Sequence, residues 1–411
     1  MSRLLLLLVA FAIVGCAASD APPAPSNSAE PVAFETVVLE EEANIDMWWA
    51  RVVKDVNGDG LMDMIVQHRN AFGGWLGWYE ASDGGQTWTQ HIIAETAPND
   101  SLFAAGDLDA GDIDGDGDID AIGISHPGEW RNAGAPADIY WYENVNGDGM
   151  TWTPHVIGSV PDAVKDINVA DFNADGRLDL AVLTFDENTF SLFRQDGADE
   201  WDRVQFSTIT NLHEGMEIGD IDGDGDLDIA ANGYWLANPG GDLSGEWTVS
   251  VIDDIWHNQE GDWSRNATKH ASYDLDGDGR EEVFISHSER DGYPIRWYQR
   301  DPETNTWTGH TIADTLVAAH TLQLADFDLD GDIDVIAGVN QGRAVNIGHD
   351  TFPIYLYRNE GDNLTWTPQL LTEGGVYNGQ VADLEGDGDP DFFRIASHEK
   401  GNFEVWINQT R

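Results

Sequence analysis

A nine-residue acidic motif, D-x-D/N/E-x-D-G-x-x-D/E, occurs seven times along the sequence. Its copies start at Asp55, Asp112, Asp171, Asp220, Asp274, Asp326 and Asp383. Successive starts are 49 to 59 residues apart, a period that fits one four-stranded blade of a β-propeller. We therefore expect seven similar sheets rather than one continuous core.

A second pattern keeps the same phase as the acidic motif. Residues 77–80, Gly-Trp-Tyr-Glu, are followed by a turn and by a Thr-Trp-Thr segment at 87–93. The pair returns at Trp141-Tyr142 with 151–157, at Trp297-Tyr298 with 306–312, at Leu356-Tyr357 with 365–371, and in weaker form around Trp201 and Trp247. Each unit thus predicts four short strands: A into the motif, B out of it, C aromatic and D Thr-Trp-Thr. Gly, Asp and Asn mark the turns between them.

The two ends of the repeat region complement each other. The seventh repeat stops after its C strand, residues 403–407, and has no D strand. Residues 32–39 match a D strand with no repeat before them. The sequence therefore predicts an all-β, seven-bladed propeller over residues 32–411, closed by pairing of the N-terminal strand into the last blade. Closure of this kind removes exposed sheet edges.

The acidic motifs have the composition of Ca²⁺ loops. In the second copy, Asp112, Asp114, Asp116 and Asp120 place carboxylates at positions 1, 3, 5 and 9, and Gly117 permits a sharp turn at position 6. Ca²⁺ prefers six to eight hard oxygen ligands. No His or Cys lies within the loops, which argues against zinc there. An EF-hand is also excluded, because it requires Glu at position 12 and flanking helices.

We therefore predict up to seven bound Ca²⁺ ions. The candidate ligands are Asp55, Asn57, Asp59 and Asp63; Asp112, Asp114, Asp116 and Asp120; Asp171, Asn173, Asp175 and Asp179; Asp220, Asp222, Asp224 and Asp228; Asp274, Asp276, Asp278 and Glu282; Asp326, Asp328, Asp330 and Asp334; and Asp383, Glu385, Asp387 and Asp391. The alternative, that these segments are merely acidic turns, is disfavoured by the regular spacing of the carboxylates.

The loops and their blade context resemble the FG-GAP/VCBS repeats of bacterial surface proteins and of the integrin α-subunit propeller. The resemblance covers essentially residues 32–411. It implies a propeller and bound calcium but leaves the activity open, because propellers of this kind include adhesins, scaffolds and carbohydrate-active enzymes.

The first residues have the pattern of a secretion signal. Arg3 precedes an apolar stretch at 4–14, which is too short for a permanent membrane helix. Residues 13–16, Ile-Val-Gly-Cys, resemble a bacterial lipobox, and Cys16 is the only cysteine in the chain. We expect residues 1–16 to be a lipoprotein signal peptide with Cys16 as the lipidation site, the alternative being an ordinary signal peptide with an incidental cysteine. Residues 17–31, which contain four prolines, then form a flexible tether.

These features predict a lipoprotein of the bacterial outer membrane or cell surface, since Ala17, and not Asp, follows the cysteine.

The overall charge excludes one class of partner. The chain has 75 acidic and 20 basic residues and a formal net charge of −55. Nucleic-acid binding requires a basic surface and is therefore not expected.

The connections on the other face of the ring have a different composition. If the acidic loops join strands A and B, the B–C and D–A connections emerge opposite them, and these are rich in His, Arg and aromatic residues. The candidate ligand-binding residues are His68, Arg69, His126, Arg131, His287, Arg290, Trp263 and Arg265. Four further residues are expected to meet at the axis as candidate catalytic groups: His213, His320, Lys269 and Tyr377. His91, His155 and His310 lie on D strands and are expected to be structural.

Two functions remain open at this point. The favoured one is a surface binding module for an extracellular glycan or protein. The alternative is a polysaccharide lyase acting on an anionic, uronate-containing or sulfated polysaccharide, with Arg or Lys neutralising a carboxylate while His or Tyr removes a proton. Binding is favoured because the sequence contains no nucleophile elbow, Walker loop or HExxH motif, and because calcium accounts for the paired carboxylates that a glycosidase would need.

Overall fold

The computed structural model describes residues 30–44, 50–67, 74–127, 135–185, 190–204, 214–395 and 400–410. Over these residues the chain forms seven antiparallel sheets of four strands each, which confirms the predicted seven-bladed propeller. The first strand is β1 (Phe34–Asn44). Blades are numbered below from the first acidic motif.

The first four blades consist of sixteen strands. Blade 1 contains β2 (Ala50–Lys54), β3 (Asp63–Gln67), β4 (Leu76–Ser82) and β5 (Thr87–Ala94), and blade 2 contains β6 (Ala110–Gly111), β7 (Asp120–Ser125), β8 (Ala137–Asn144) and β9 (Trp152–Val160). Blade 3 contains β10 (Val164–Ala170), β11 (Asp179–Thr184), β12 (Phe190–Gly197) and β13 (Glu200–Val204), and blade 4 contains β14 (Met216–Gly219), β15 (Asp228–Ala231), β16 (Tyr234–Ala237) and β17 (Thr248–Val251).

The remaining strands follow the same order. Blade 5 contains β18 (Thr268–Tyr273), β19 (Glu282–His287), β20 (Ile295–Asp301) and β21 (Thr306–Ala313), and blade 6 contains β22 (Ala319–Ala325), β23 (Asp334–Val339), β24 (Ile354–Asn359) and β25 (Trp366–Thr372). Blade 7 contains β26 (Gln380–Ala382), β27 (Asp391–Ile395) and β28 (Lys400–Asn408). Two short helices interrupt the described connections, a 3₁₀ turn at Asp254–Trp256 and α1 (Gln341–Asn346). Among the described residues, no helix is both long enough and apolar enough to cross a bilayer.

The ring closes as the sequence predicts. In blade 7 the sheet order is β26, β27, β28 and then β1. Strand β1 pairs antiparallel with β28, with Phe34 opposite Asn408 and Val37 opposite Val405. The N-terminal strand therefore supplies the fourth strand that the seventh repeat lacks.

Burial follows the position of each strand in its blade. The second strand of every blade is buried along its whole length, as in β7 and β23. The fourth strands, such as β5 and β21, consist almost entirely of exposed and half-buried residues. Apolar cores form between adjacent sheets; one of them joins Trp235 of blade 4 to Tyr298 of blade 5. The first strands of neighbouring blades contact one another and surround the central channel.

Hydrogen bonds at each of the seven blade junctions fasten one acidic motif to the next blade. At five junctions a side-chain amide donates to the carbonyl of the motif's second residue: Asn144 to Val56, Gln195 to Ile113, Asn238 to Phe172, Asn363 to Leu275 and Asn408 to Phe327, at 2.8–3.1 Å. At the other two, a backbone N–H group donates instead: that of Glu281 to the carbonyl of Asp220, the first residue of its motif, and that of Met62 to the carbonyl of Leu384, the second residue of its motif. The acidic motifs thus connect neighbouring blades as well as strands A and B.

Candidate functional site

Each acidic motif is folded around its first aspartate. In the first loop, Asp55 accepts hydrogen bonds from the backbone N–H groups of Asp59 at 3.1 Å and Gly60 at 3.0 Å. The N–H of the sixth residue makes this bond in all seven loops. In the second loop that residue is Gly117, whose φ of 101° lies in a region that side chains rarely adopt.

The ninth residue has a structural role of its own. Asp120 is 1% exposed and accepts backbone N–H bonds from Ile113 and from Asn144, both at 2.9 Å. Burial raises the pKa of this carboxyl to about 7. Equivalent pairs of bonds are made by Asp63, Asp179, Asp334 and Asp391. The ninth carboxylate therefore fastens the loop to the C strand of its own blade.

The loop carboxylates also converge in a way that fits a hard cation. In four loops, three carboxylate oxygens lie within 4.8 Å of one another: those of Asp112, Asp114 and Asp120; Asp220, Asp222 and Asp224; Asp274, Asp276 and Glu282; and Asp326, Asp328 and Asp334. One buried oxygen on each of Asp112, Asp222 and Asp328 has no hydrogen-bond partner among the described residues. A buried carboxylate oxygen without a donor is costly, and Ca²⁺ would satisfy it. The donor set therefore fits calcium.

At the opposite end of the inner strands, three of the four predicted axial residues lie close together. The imidazole of His320 lies 4.2 Å from the ring of Tyr377, with the planes inclined by 32°. Burial, followed by the positive charge of Lys269, lowers the pKa of His320 well below its usual value. The fourth residue, His213, lies outside the described residues.

A chain of polar contacts connects this centre to the surface. Lys165 forms an ion pair of 2.7 Å with Glu214, whose carboxylate lies 3.5 Å from His320 Nε2. On the other side His320 Nε2 lies 3.6 Å from Glu289 Oε1, and Arg343 Nε lies 3.2 Å from Glu289 Oε2.

Arg343 connects this series of polar contacts to the surface. Its guanidinium carbon lies 4.9 Å from the ring centroid of Trp263, whose side chain is 37% exposed. Charged and aromatic groups from several blades thus form one connected site that runs from the channel to an exposed indole.

The channel itself is a polar cavity of about 200 Å³. Its described polar lining consists of Asp107, Asp109, Asp166, Asn168, Glu217, Lys269, His270, His320, Gln323, Asn378 and Gln380, with Thr321. Four of these residues are carboxylates and one is a lysine. Burial raises the pKa of Asp107 to about 7 and that of Glu217 to about 8, and it lowers the pKa of His270 to about 3. The cavity therefore carries fewer charges than its composition implies.

Most of these channel residues are absent from the predicted site, although a simple signal marks them. Asp109, Asn168, Glu217, Gln323 and Gln380 each lie three residues before the start of an acidic motif, and Asp107, Asp166, Lys269 and Asn378 lie five residues before it. Alternate residues of a strand face the same side, so positions three and five before the motif point to the axis. Counting back three and five residues from each motif start would therefore have identified these channel residues in the sequence.

The other predicted ligand-binding residues are dispersed. His126 is buried, with Nε2 3.0 Å from the Ala135 carbonyl oxygen. His287 is also buried, with Nε2 2.9 Å from Gln259 Oε1.

Of the four predicted arginines of this group, the two that the structure describes lie nearer the surface. Arg290 donates to Ser264 Oγ at 3.1 Å, and Arg265 donates to the Gly261 carbonyl at 3.3 Å. His68, Arg69, Arg131 and Cys16 lie outside the described residues. Of the ligand-binding set, Trp263 is the member that the contact chain joins to the axial residues.

Comparison with known proteins agrees with the fold. The FG-GAP-like repeat family matches residues 112–182, 171–231 and 274–337. No curated protein sequence matches the chain.

Solved structures with the same fold include two fungal enzymes. An α-L-arabinofuranosidase from Fusarium graminearum has a TM-score of 0.52 at 9% identity, covering 93% of this chain and 99% of its own. An α-L-arabinanase from Penicillium chrysogenum, solved with arabinobiose, has a TM-score of 0.51 at 12% identity, covering 92% and 99%. At such identities the likeness shows the fold alone. With seven acidic motifs on seven closed blades, the chain is a seven-bladed β-propeller that contains FG-GAP-like repeats.

Proposed function

We propose that the protein is a lipid-anchored, calcium-loaded propeller of the bacterial outer membrane or cell surface that binds an extracellular glycan at the mouth of its channel. The observation that carries the proposal is the contact chain from exposed Trp263 through Arg343 and Glu289 to His320 at the cavity wall. It connects an exposed aromatic side chain to a residue in the wall of the polar cavity. Lipidation at Cys16 and the tether at 17–31 supply the anchor in this proposal.

Calcium has a structural role in this proposal. The residues at positions 1, 3, 5 and 9 of the loops would hold the ions, and a bound ion supplies charge that offsets the repulsion between carboxylates. The loops lie at the end of strand A away from Lys269 and His320. Calcium therefore stabilises the scaffold, and the ligand is bound by other residues.

The composition of the site favours a hydroxyl-rich ligand. The apolar face of a sugar ring can pack on the Trp263 indole, and carboxylates and amides such as Asp107, Gln323 and Asn378 can accept or donate hydrogen bonds to hydroxyl groups. Carboxylates outnumber lysines in the described lining of the cavity, which disfavours a polyanion there. The solved propellers of the same fold include one with bound arabinobiose, which is compatible with a glycan ligand.

Binding can be tested with the full-length protein in detergent, calcium-saturated, on an array of neutral and anionic glycans. Hits would then be titrated calorimetrically. Trp263→Ala should weaken binding at least about tenfold, equivalent to about 1.4 kcal/mol. Tyr273→Ala is a matched control, because Tyr273 is a similarly exposed aromatic residue, at 43%, next to an acidic motif on the other face. Absence of any glycan hit, or equal affinity in both variants, would contradict the proposal.

A second candidate is supported by the position of His320 and Tyr377 beside Lys269. In a lyase, one of the two would take the proton from C5 of a uronate as the C4–C5 double bond forms and the C4–O bond breaks. The other would return a proton to the leaving oxygen, while Lys269 would neutralise the carboxylate. The unsaturated product absorbs ultraviolet light. If no uronate polysaccharide gives an increase in absorbance while glycan binding is retained, the lyase function is ruled out and the binding function remains.

A further inference from the structure

We propose that Glu214, Glu289 and His320 form a binding site for one divalent first-row transition metal ion, with Zn²⁺ the best match, in the wall of the channel. This inference goes beyond glycan binding and does not depend on it. The three residues come from three successive blade regions: before β14, after β19 and within β22. An ion there would tie blades 4, 5 and 6 together.

The separations of the ligand atoms fit a shared ion. One ligand atom from each of the three residues lies within 4.8 Å of the others. His320 Nε2 is 3.5 Å from Glu214 Oε1 and 3.6 Å from Glu289 Oε1, distances too long for direct hydrogen bonds. Two ligands held about 2.1 Å from a tetrahedral zinc ion lie about 3.4 Å apart. The gap at the centre is therefore of the right size for a metal.

An independent observation comes from the imidazole itself. The side chain of His320 is 1% exposed, and neither of its ring nitrogens has a hydrogen-bond partner among the described residues. Buried polar nitrogens are rarely left in this state. Its Nε2 points at two carboxylate oxygens, and coordination to an ion between them would satisfy it.

Surrounding groups hold the proposed ligands in place. Lys165 binds the outer oxygen Oε2 of Glu214, at 2.7 Å, and Arg343 lies 3.2 Å from the outer oxygen of Glu289. The Ser288 hydroxyl donates to Glu214 Oε1. Both Oε1 atoms face the imidazole, whose ring packs on Tyr377. Metal sites commonly orient their ligands through an outer set of contacts of this kind.

The donor set separates this site from the calcium loops. Ca²⁺ takes oxygen ligands, whereas an imidazole with two carboxylates suits zinc and its first-row neighbours. His320 also lines the cavity, so an ion bound to it would lie at the cavity wall. An imidazole that ligates a metal through Nε2 is no longer available there as a base, so metal binding and the lyase reaction are alternatives for this residue.

The test is a calorimetric titration of Zn²⁺ into the full-length protein, stripped of metals and resaturated with excess Ca²⁺, without glycan. One saturable equivalent is expected in the wild type and its loss in His320→Gln. His155→Gln is the matched control: His155 also lies between two carboxylates, Glu143 and Asp199, and stacks on an aromatic ring, but both of its nitrogens have partners. This variant should bind Zn²⁺ like the wild type.

A spectroscopic measurement on the wild type guards against a variant that fails to fold. Co²⁺ added in the presence of excess Ca²⁺ should give a saturable visible absorption band, which one equivalent of Zn²⁺ abolishes. Absence of that band, or full Zn²⁺ stoichiometry in a folded His320→Gln variant, would overturn the proposal. Neither titration uses a glycan. Failure of the metal-site proposal would therefore not contradict the proposed glycan binding, which is tested separately.

Discussion

The imidazole of His310 stacks on the indole of Trp297, with ring centroids 4.1 Å apart and planes inclined by 21°. The same arrangement joins His155 to Trp141 and His91 to Trp78, at 4.2 and 4.7 Å. In each case a D-strand histidine covers the aromatic residue of its C-strand neighbour. These three histidines are therefore structural, as their position on the D strands predicts.

Removing one stacked imidazole should cost a modest amount of stability. Aromatic pairs of this geometry contribute about 0.5–1.5 kcal/mol, and we expect His310→Ala to lower the free energy of unfolding by about 1 kcal/mol. Thr308→Ala, at an exposed position of the same strand, should change it by less than about 0.5 kcal/mol. Urea denaturation of the three proteins checks this, and equal stabilities would show that the stacking is incidental.

The acidic loops allow calcium binding to be separated from loop structure. Asp116→Asn, at exposed position 5, should match the wild type in EGTA and show a smaller rise in melting temperature with calcium. Asp120→Asn should be less stable by about 1–3 kcal/mol in both conditions, because its new NH₂ group faces one of two backbone N–H donors. Calorimetric scans with and without Ca²⁺ distinguish the two. A wild-type melt unchanged by EGTA would contradict calcium binding, since an ion at 100 times its Kd adds about 2.7 kcal/mol.

The side-chain amides that form hydrogen bonds across the blade junctions should contribute substantially to the free energy of unfolding. Asn144 is fully buried, donates to the Val56 carbonyl and accepts from Gly149 N–H, both at 2.9 Å. Asn144→Ala leaves both backbone groups without these partners and should destabilise the protein by about 2–3 kcal/mol. Asn146→Ala, exposed in the same turn, serves as the control in parallel denaturation curves. Similar losses in both variants would rule out a role for the junction bond.

The channel predicts a pH dependence of stability between pH 4.5 and about 8. Burial raises the pKa of Glu217 from 4.5 to about 8, so the folded state holds a proton that the unfolded state releases. The stability that Glu217 contributes is complete below pH 4.5 and is lost as the pH rises through 8. In Glu217→Gln the carboxyl is replaced by an amide, which does not ionise over this pH range.

The free energy of unfolding of the variant should therefore equal that of the wild type near pH 4.5 and exceed it by about 1 kcal/mol at pH 9. This difference is smaller than the full pKa shift implies, because water in the channel screens the charge. Urea denaturation at the two pH values, with calcium held constant, measures the difference. Glu303→Gln, in an exposed turn, should show no such divergence. A constant difference between Glu217→Gln and the wild type across this range would refute the assignment.

The closing blade contains a buried ion pair. Arg394 Nη1 lies 2.6 Å from Glu404 Oε2, which also accepts from Trp406 Nε1 at 3.1 Å. Glu404→Ala leaves a buried guanidinium without its carboxylate and should cost about 3–5 kcal/mol. The double variant Arg394→Met/Glu404→Met should recover part of that loss, as measured by thermal denaturation. A double variant less stable than Glu404→Ala would show that the pair contributes through packing instead.

The fold was accessible from the sequence because its signals are local and repeated. The motif starts at Asp55 through Asp383 set the blade count, and the complementary segments at 32–39 and 403–407 predicted the closure that β1 and β28 make. Each of these signals depends on strand alternation or on a turn, which neighbouring residues largely decide.

The site was less accessible because its contacts join distant segments. Glu289, His320 and Glu214 meet through three blades, and no spacing along the chain marks their common point. The junction amides, such as Asn144, are likewise visible only once adjacent blades are placed side by side. Period-two alternation before each motif could have located Glu217 and Asp109, which face the channel from positions three residues upstream.

Because β1 pairs with β28, the ring can close only after all the blades between them have been synthesised. Strand β1 is made first, and its partner is made last, with the other six blades between them. Throughout synthesis β1 lacks its sheet, and β28 has an open edge once it appears. Closure of so long a loop is slow relative to local hairpin formation. In that interval the β1 of another chain can occupy the same edge, so the yield of closed rings should fall as the concentration of newly made chains rises.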